Sequence, residues 1–172
     1  MLFGTTKPAT VLHAKSAIVW LRLASSVAWL DSAFIGRDAK IAPAFLHGGE
    51  LASRINGTFL HTALDTRITQ VLSWYILPHA ALFAVLIAVA DATAGLSLSL
   101  GLFVRAGATI AIARAVVNIL VAGGAGTDTI GYNALLIIAG VICIVTAAGR
   151  KFGLDANLID RFPRSAALRI IA

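Results

Sequence analysis

The sequence predicts an all-α protein: a four-helix transmembrane bundle with an amphipathic helix in its first outer loop. Three observations predict it. Of the 172 residues, 59% are hydrophobic and 13% charged, against about 25% charged in a soluble domain. Four apolar runs each reach about the 20 residues that a helix needs to cross the hydrocarbon. The runs are continuous, without the strict alternation of a barrel strand, and lipid offers no partner for unpaired backbone groups in anything less regular. The length suits a single integral membrane domain over residues 1–172.

The first span is read at residues 16–35, SAIVWLRLASSVAWLDSAFI. It is too long for the apolar region of a cleaved signal peptide and carries Arg22 and Asp31 inside. The first connection then runs to about Ser73, and a loop of that length without structure of its own is uncommon. From Leu51 to Leu72 apolar residues recur at helical spacing (Ile55, Phe59, Leu60, Leu64, Ile68, Val71), so a helix lies on or dips into the outer surface. Gly48-Gly49 marks a turn before it. Asn56-Gly57-Thr58 fits the N-glycosylation pattern. The remaining spans are read at about 74–96, 103–122 and 131–148, and no Asp, Glu, Lys or Arg lies between Asp128 and Arg150. Residues 150–172 form a basic, amphipathic cytoplasmic tail that ends in LRIIA after Pro163. Cys143 is the one cysteine, which excludes an intrachain disulfide or a CxxC site and reads as a small core residue.

Charge sets the orientation. An even number of spans puts both termini on one side, with Lys7, Lys15, Arg105, Arg150, Lys151, Arg161, Arg164 and Arg169. The other side holds Arg37, Lys40, Arg54 and Arg67. Eight against four places both termini in the cytoplasm of a multi-pass cell-membrane protein. The net charge of +6 is then a rim facing anionic lipid, not a nucleic-acid surface.

Polar residues inside the spans are the candidate functional residues, since a charge there costs at least about 2.5–3.5 kcal/mol unless paired or used. At 1.5 Å per residue, Arg22 lies roughly 9 Å and Asp91 roughly 7–8 Å from the cytoplasmic surface, so the two are expected to pair, with Arg105 just below. Arg114 is too deep in the third span to snorkel, and Asn118 shares its face. Asp31, His79, Tyr132 and Asn133 lie toward the outer half. A plainer role exists for several: Arg22 and Asp91 as a packing lock alone, Arg105 and Arg150 as anchors of span ends, and His79 after Pro78 as the cap of a helix start. Haem ligation between spans is not available, because His79 is the one histidine in a span. No bound metal, haem or flavin is expected.

Three stretches resemble the DoxD proteins, the membrane subunit type of thiosulfate:quinone oxidoreductase within the wider DoxX-like group. LPHAALFA at 77–84 is similar to the start of that family's second span. An acid–x–x–x–Gly–x–x–Leu–x–x–Gly–Leu–x–x–Arg pattern is met by Asp91, Gly95, Leu98, Gly101, Leu102 and Arg105. AAGRKFGLDANL at 147–158 resembles the family's exit from the fourth span, and LRLASSVAWL at 21–30 matches the first helix more loosely. Two departures stand out. The acid is usually Glu, and where the first span usually closes on Gly-x-x-Lys, this chain has Ala33-Phe34-Ile35-Gly36 followed by Arg37, so no lysine carries over.

The resemblance implies a respiratory protein of sulfur metabolism that oxidises thiosulfate to tetrathionate and passes electrons to a membrane quinone as co-substrate. It also implies a second small subunit or a respiratory oxidase complex as partner. Taken with that activity, Arg114, His79 and Asp91 stand as candidate catalytic residues. Arg22, Asp31, Arg105, Asn118, Tyr132 and Asn133 stand as candidate lining of a quinone or substrate pocket. Asp91 and Arg105 are expected to hold the second and third spans in register across Gly95–Gly101, setting Arg114 and Asn118 opposite His79. The alternative is a non-catalytic accessory subunit of a quinol oxidase; a small transporter is disfavoured by the lack of a repeat.

Overall fold

Helix α1 (Ala9–Leu30) carries the first apolar run and continues through a π-turn at Asp31–Ile35. The computed structural model describes residues 9–35, 39–151 and 153–162, and among them all regular structure is helical. Gly36, Arg37 and the LRIIA end of the tail lie outside the described residues. Short helices α2 (Pro43–Leu46) and α3 (Gly49–Arg54) follow, and α3 passes through a π segment at Ile55–Phe59 into α4 (Leu60–Thr62). Helix α5 (Thr66–Val71) then leads through Leu72–His79 into α6 (Ala80–Leu100). Helices α7 (Val104–Ala122), α8 (Thr127–Val145) and α9 (Leu154–Arg161) complete the described residues.

Among the described residues, four stretches are long and apolar enough to cross a membrane: Ser16–Ile35, Thr66–Leu100, Val104–Ala125 and Thr127–Val145. The chain is a multi-pass membrane protein. The first stretch has the predicted bounds, but the second begins at Thr66, before the predicted 74. Helix α5 runs on into the span, past Pro78. That proline cannot donate to the helix ladder, yet the chain does not stop there. It changes winding, with a π segment at Leu72–Ile76 before Pro78 and a 3₁₀ turn at Leu77–His79 that contains it. His79 therefore sits inside a continuing helix, and its side chain makes no cap to α6. At the other end of the bundle, the fourth helix stops at Val145 because Ala147 takes a positive φ of 46°.

The four long helices pack as a closed ring in the order α1, α6, α7, α8, with α8 returning to α1. Their seams are lined by small residues: Ala80, Ala84, Ala88, Ala94 and Gly95 on α6, and Gly107, Ala108, Ala111 and Ala115 on α7. Between apolar helices in lipid the attraction is close packing rather than water exclusion, so small residues bring the backbones together. Cys143 is buried in this core, as predicted.

The first connection folds back over the ring as a cap. Phe45, Leu51 and Ile55 pack with Leu72 and Ala84 in a second apolar core. The predicted helix from Leu51 to Leu72 is broken at Ala63, which is extended, and restarts where Asp65 accepts from the backbone N–H of Arg67 at 2.7 Å. Gly48 seats the cap, with a φ of +81° and a position where a Cβ would lie 2.4 Å from the backbone nitrogen of Ala81. On its other flank the Leu64 N–H donates to Leu120 O at 3.0 Å and the Thr62 hydroxyl to Val121 O at 3.2 Å.

The opposite end is tied by Asp155 of α9. Its fully buried carboxylate accepts from the Phe103 N–H at 2.6 Å and the Val104 N–H at 3.1 Å, and so caps α7. The Asp155 N–H donates to Gly101 O at 2.9 Å. Gly101 turns the chain at φ +66°, and a Cβ there would fall 2.3 Å from Arg22 Nη1.

Candidate functional site

One carboxylate organises the interior beneath the cap. Asp91 projects from the small-residue seam of α6 and is fully buried. Arg114 of α7 donates from Nε to Asp91 Oδ1 at 2.8 Å. Asp91 Oδ2 accepts from the Ser32 hydroxyl at 3.1 Å and also pairs with Lys40 Nζ. Lys40 donates to Ser32 as well. A buried carboxylate of this kind is tolerable only when its lone pairs are filled and its charge is matched. Here the π-turn after α1, the segment leading to α2, and α7 each supply a partner.

The network continues across the ring. Arg114 Nη1 donates to Asn118 Oδ1 at 3.4 Å, one helical turn on. Asn118 Nδ2 donates to Asn133 Oδ1 of α8 at 3.3 Å, and Asn133 Nδ2 is anchored on Thr129 O at 2.8 Å. The polar chain thus runs from α1 through α6 and α7 to α8.

Above it lies a cavity of about 230 Å³ between the cap and α6–α7. Lys40, Arg54, Arg114 and Asn118 are its polar lining; Phe45, Leu51, Ile55, Phe59, Ile87 and Val117 are among its apolar walls. The Lys40 and Arg114 side chains are 14% and 12% exposed. Two cations facing one acid leave one positive charge over. Burial pushes the Lys40 ammonium below the ordinary lysine range; Asp91 draws it back up, while Arg114 and Arg54 add to the lowering. Arg54 stands nearer the rim, bonded to Glu50 at 2.5 Å and 5.9 Å above the Phe45 ring.

Of the predicted site residues, Asp91, Arg114, Asn118 and Asn133 come together here. Arg22 does not pair with Asp91. It is buried at the far end of the bundle, where Nη1 donates to Ala148 O at 3.3 Å and the nearby Asp155 attracts it. The depth estimate failed because helices outrun their apolar runs: α6 continues nine residues past Asp91, and α1 begins thirteen residues before Arg22. Ser32, not Arg22, is the α1-side residue level with Asp91. Arg105 lies in the first turn of α7, so Asp91 meets Arg114 rather than Arg105 across the α6–α7 hairpin. His79 is exposed, its Nδ1 3.0 Å from Tyr75 O, and does not line the cavity. Asp31 and Tyr132 are also exposed and interact electrostatically with each other.

Ser32, Lys40 and Arg54 are the site residues that the sequence reading missed. A lysine a few residues beyond an apolar run can bend its head back toward a buried acid. The pairing on the α6–α7 hairpin was also open to arithmetic: Asp91 is nine residues before Leu100 and Arg114 ten after Val104, so in an antiparallel hairpin they meet.

A family model described as "TQO small subunit DoxD" matches residues 18–172. The chain belongs to the DoxD family. No curated protein and no solved structure matches it. The small-subunit description implies that this DoxD chain works beside a partner subunit, in an enzyme that involves a quinone. The geometry gives the DoxD-like motifs distinct physical roles. The acid of the Asp91–Arg105 pattern is the centre of the site. The 147–158 stretch ties the other end through Asp155.

Proposed function

We propose that this chain is the membrane subunit in which thiosulfate is oxidised to tetrathionate, its electrons passing to a membrane quinone, and that the pocket under the cap receives the anion. One observation carries the reading: Lys40 and Arg114 converge on a single buried acid inside a largely apolar cavity. A small oxyanion is the ligand class that suits a surplus of buried cationic donors. The reaction balances as two thiosulfate dianions losing two electrons while their terminal sulfurs join, and a quinone taking two electrons and two protons.

Within this reading Asp91 holds the two cations in place, and Arg114 binds. Its Nε and Nη1 are engaged by Asp91 and Asn118, which leaves Nη2 for the anion. An apolar cavity of about 150 Å³ accepts benzene, so 230 Å³ suits one small anion or one quinone ring at a time. The reading gives the pocket to the anion, leaves the quinone to the lipid-facing surface or the partner subunit, and assigns no step to His79. Both termini are placed in the cytoplasm on the eight-to-four charge count, so the cap faces outward.

The test is thiosulfate-dependent reduction of a short-tailed quinone by the chain purified with its accompanying subunit. Arg114→Leu should abolish most of the turnover. Full turnover in that variant would remove the pocket from the reaction. If the assembled complex never shows the activity while a co-purifying oxidase consumes quinol, the chain is an accessory subunit instead.

A further inference from the structure

The pocket holds a third cation whose partner does not share it. Arg54 lines the cavity; Glu50, its ion-pair partner one helical turn earlier, does not. Both side chains are partly exposed, at 32% and 28%, so the pair stands at the rim where water screens it. Exposed pairs at this helical spacing are weak. Arg54 is also near enough to Lys40 to act on it electrostatically, which places the three cations around one space. The Phe45 ring beneath the guanidinium offers it a second support that does not depend on Glu50.

Charge counting gives this arrangement a meaning. Lys40 and Arg114 against Asp91 leave one positive charge on the floor of the pocket. At the rim Arg54 is already engaged, with Glu50 among its partners. The pocket as it stands therefore matches a monoanion. Were Arg54 to turn from Glu50 to a ligand, the floor and rim together would present two positive charges and match a dianion. For the Glu50 pair the exchange is favourable, because a weak screened contact gives way to a charge-assisted one in a less polar space.

We propose that Arg54 is the specificity-determining residue of the site, recruited from Glu50 by a doubly charged oxyanion, and that Glu50 is its competitor. This rests on the reading of the pocket as an anion site. Glu50 then sets how strongly the site discriminates: it holds Arg54 away from monoanions, which need only the floor, and yields it to dianions. The cap is the element that makes this possible, because α3 carries both residues while its Leu51 and the following Ile55 are buried in the cap core.

Calorimetric titration of the purified subunit complex with thiosulfate and with nitrate tests it without relying on turnover. Losing a charge-assisted contact costs on the order of tenfold in affinity. Arg54→Gln should weaken thiosulfate by about that factor and change nitrate by less than about threefold. Glu50→Gln should tighten thiosulfate by roughly threefold, again with little effect on nitrate. Arg67→Gln, an exposed cation of the same connection, should change neither. If thiosulfate binds the parent complex but both Arg54→Gln and Glu50→Gln bind it as the parent does, the recruitment of Arg54 is wrong and the floor alone is the site. If Arg54→Gln weakens nitrate as much as thiosulfate, Arg54 is a general attractor and the specificity role is wrong. If neither anion binds the parent, the anion reading of the pocket fails first.

Discussion

At the scale of single residues, the Lys40–Asp91–Arg114 cluster is asymmetric, and the asymmetry predicts opposite outcomes for its two sides. Asp91 is the one acid among two cations. Asp91→Asn leaves both unmatched in a poorly hydrated space, and breaking a buried pair costs about 3–5 kcal/mol in soluble proteins. A large fall in the detergent melting temperature is expected. Arg114→Leu leaves Asp91 with Lys40 and Ser32, a balanced set, so the melting temperature should hold or rise while anion binding falls. A fall as large as that of Asp91→Asn would show that Arg114 serves packing. Lys40 adds a pH dependence. Its folded-state pKa is lowered, so between that value and the ordinary lysine value the folded chain binds fewer protons than the unfolded one. The Lys40 contribution to stability therefore rises with pH through that window. Anion binding moves the other way, because it needs the ammonium: affinity should drop at a pH below the ordinary lysine range. Titration of thiosulfate against pH checks this, and Lys40→Arg, which stays charged, should abolish the drop.

At the scale of elements, the spans were legible and their ends were not. Continuous apolar runs marked all four helices, because lipid demands both the composition and the closed backbone. The ends escaped because a helix stops where backbone geometry stops it, not where hydropathy falls: at Gly101 and Ala147, and not at Pro78. That error in the ends misplaced Arg22 and hid the Asp91–Arg114 pair. The acid in the opening of α9 was read as part of a family-like motif, with no hint that it caps a different helix. Asp155 takes two N–H groups of the α6–α7 turn, and a cap or a charged hydrogen bond contributes about 1–3 kcal/mol. Asp155→Ala should therefore destabilise the bundle by about 2–4 kcal/mol, and Asp155→Asn, which keeps one acceptor, by less. Hydrogen exchange should localise the loosening to the first turn of α7. Protection there unchanged from the parent would mean that the turn holds without its cap.

At the scale of the whole molecule, the two ends of the bundle do different work, and the membrane decides which compartment each one meets. One end is knotted by α9 against the α6–α7 turn; the other carries the cap and the pocket. On the sequence count of eight basic residues against four, the knotted end is expected in the cytoplasm. The cap's own four cations do not overturn this, because two of them, Lys40 and Arg54, are engaged by Asp91 and Glu50. With that orientation, the anion of the proposed reading would reach Arg114 from outside. Cysteine labelling tests it in a Cys143→Ala background, since Cys143 is buried in the core. Asn56 on the cap and Arg161 on α9 are both exposed, so neither substitution disturbs packing. A membrane-impermeant maleimide applied to intact cells should label Asn56→Cys and leave Arg161→Cys unlabelled until the membrane is opened. The reverse pattern would invert the molecule: the pocket would draw on cytoplasmic thiosulfate, and the charge asymmetry would need another cause.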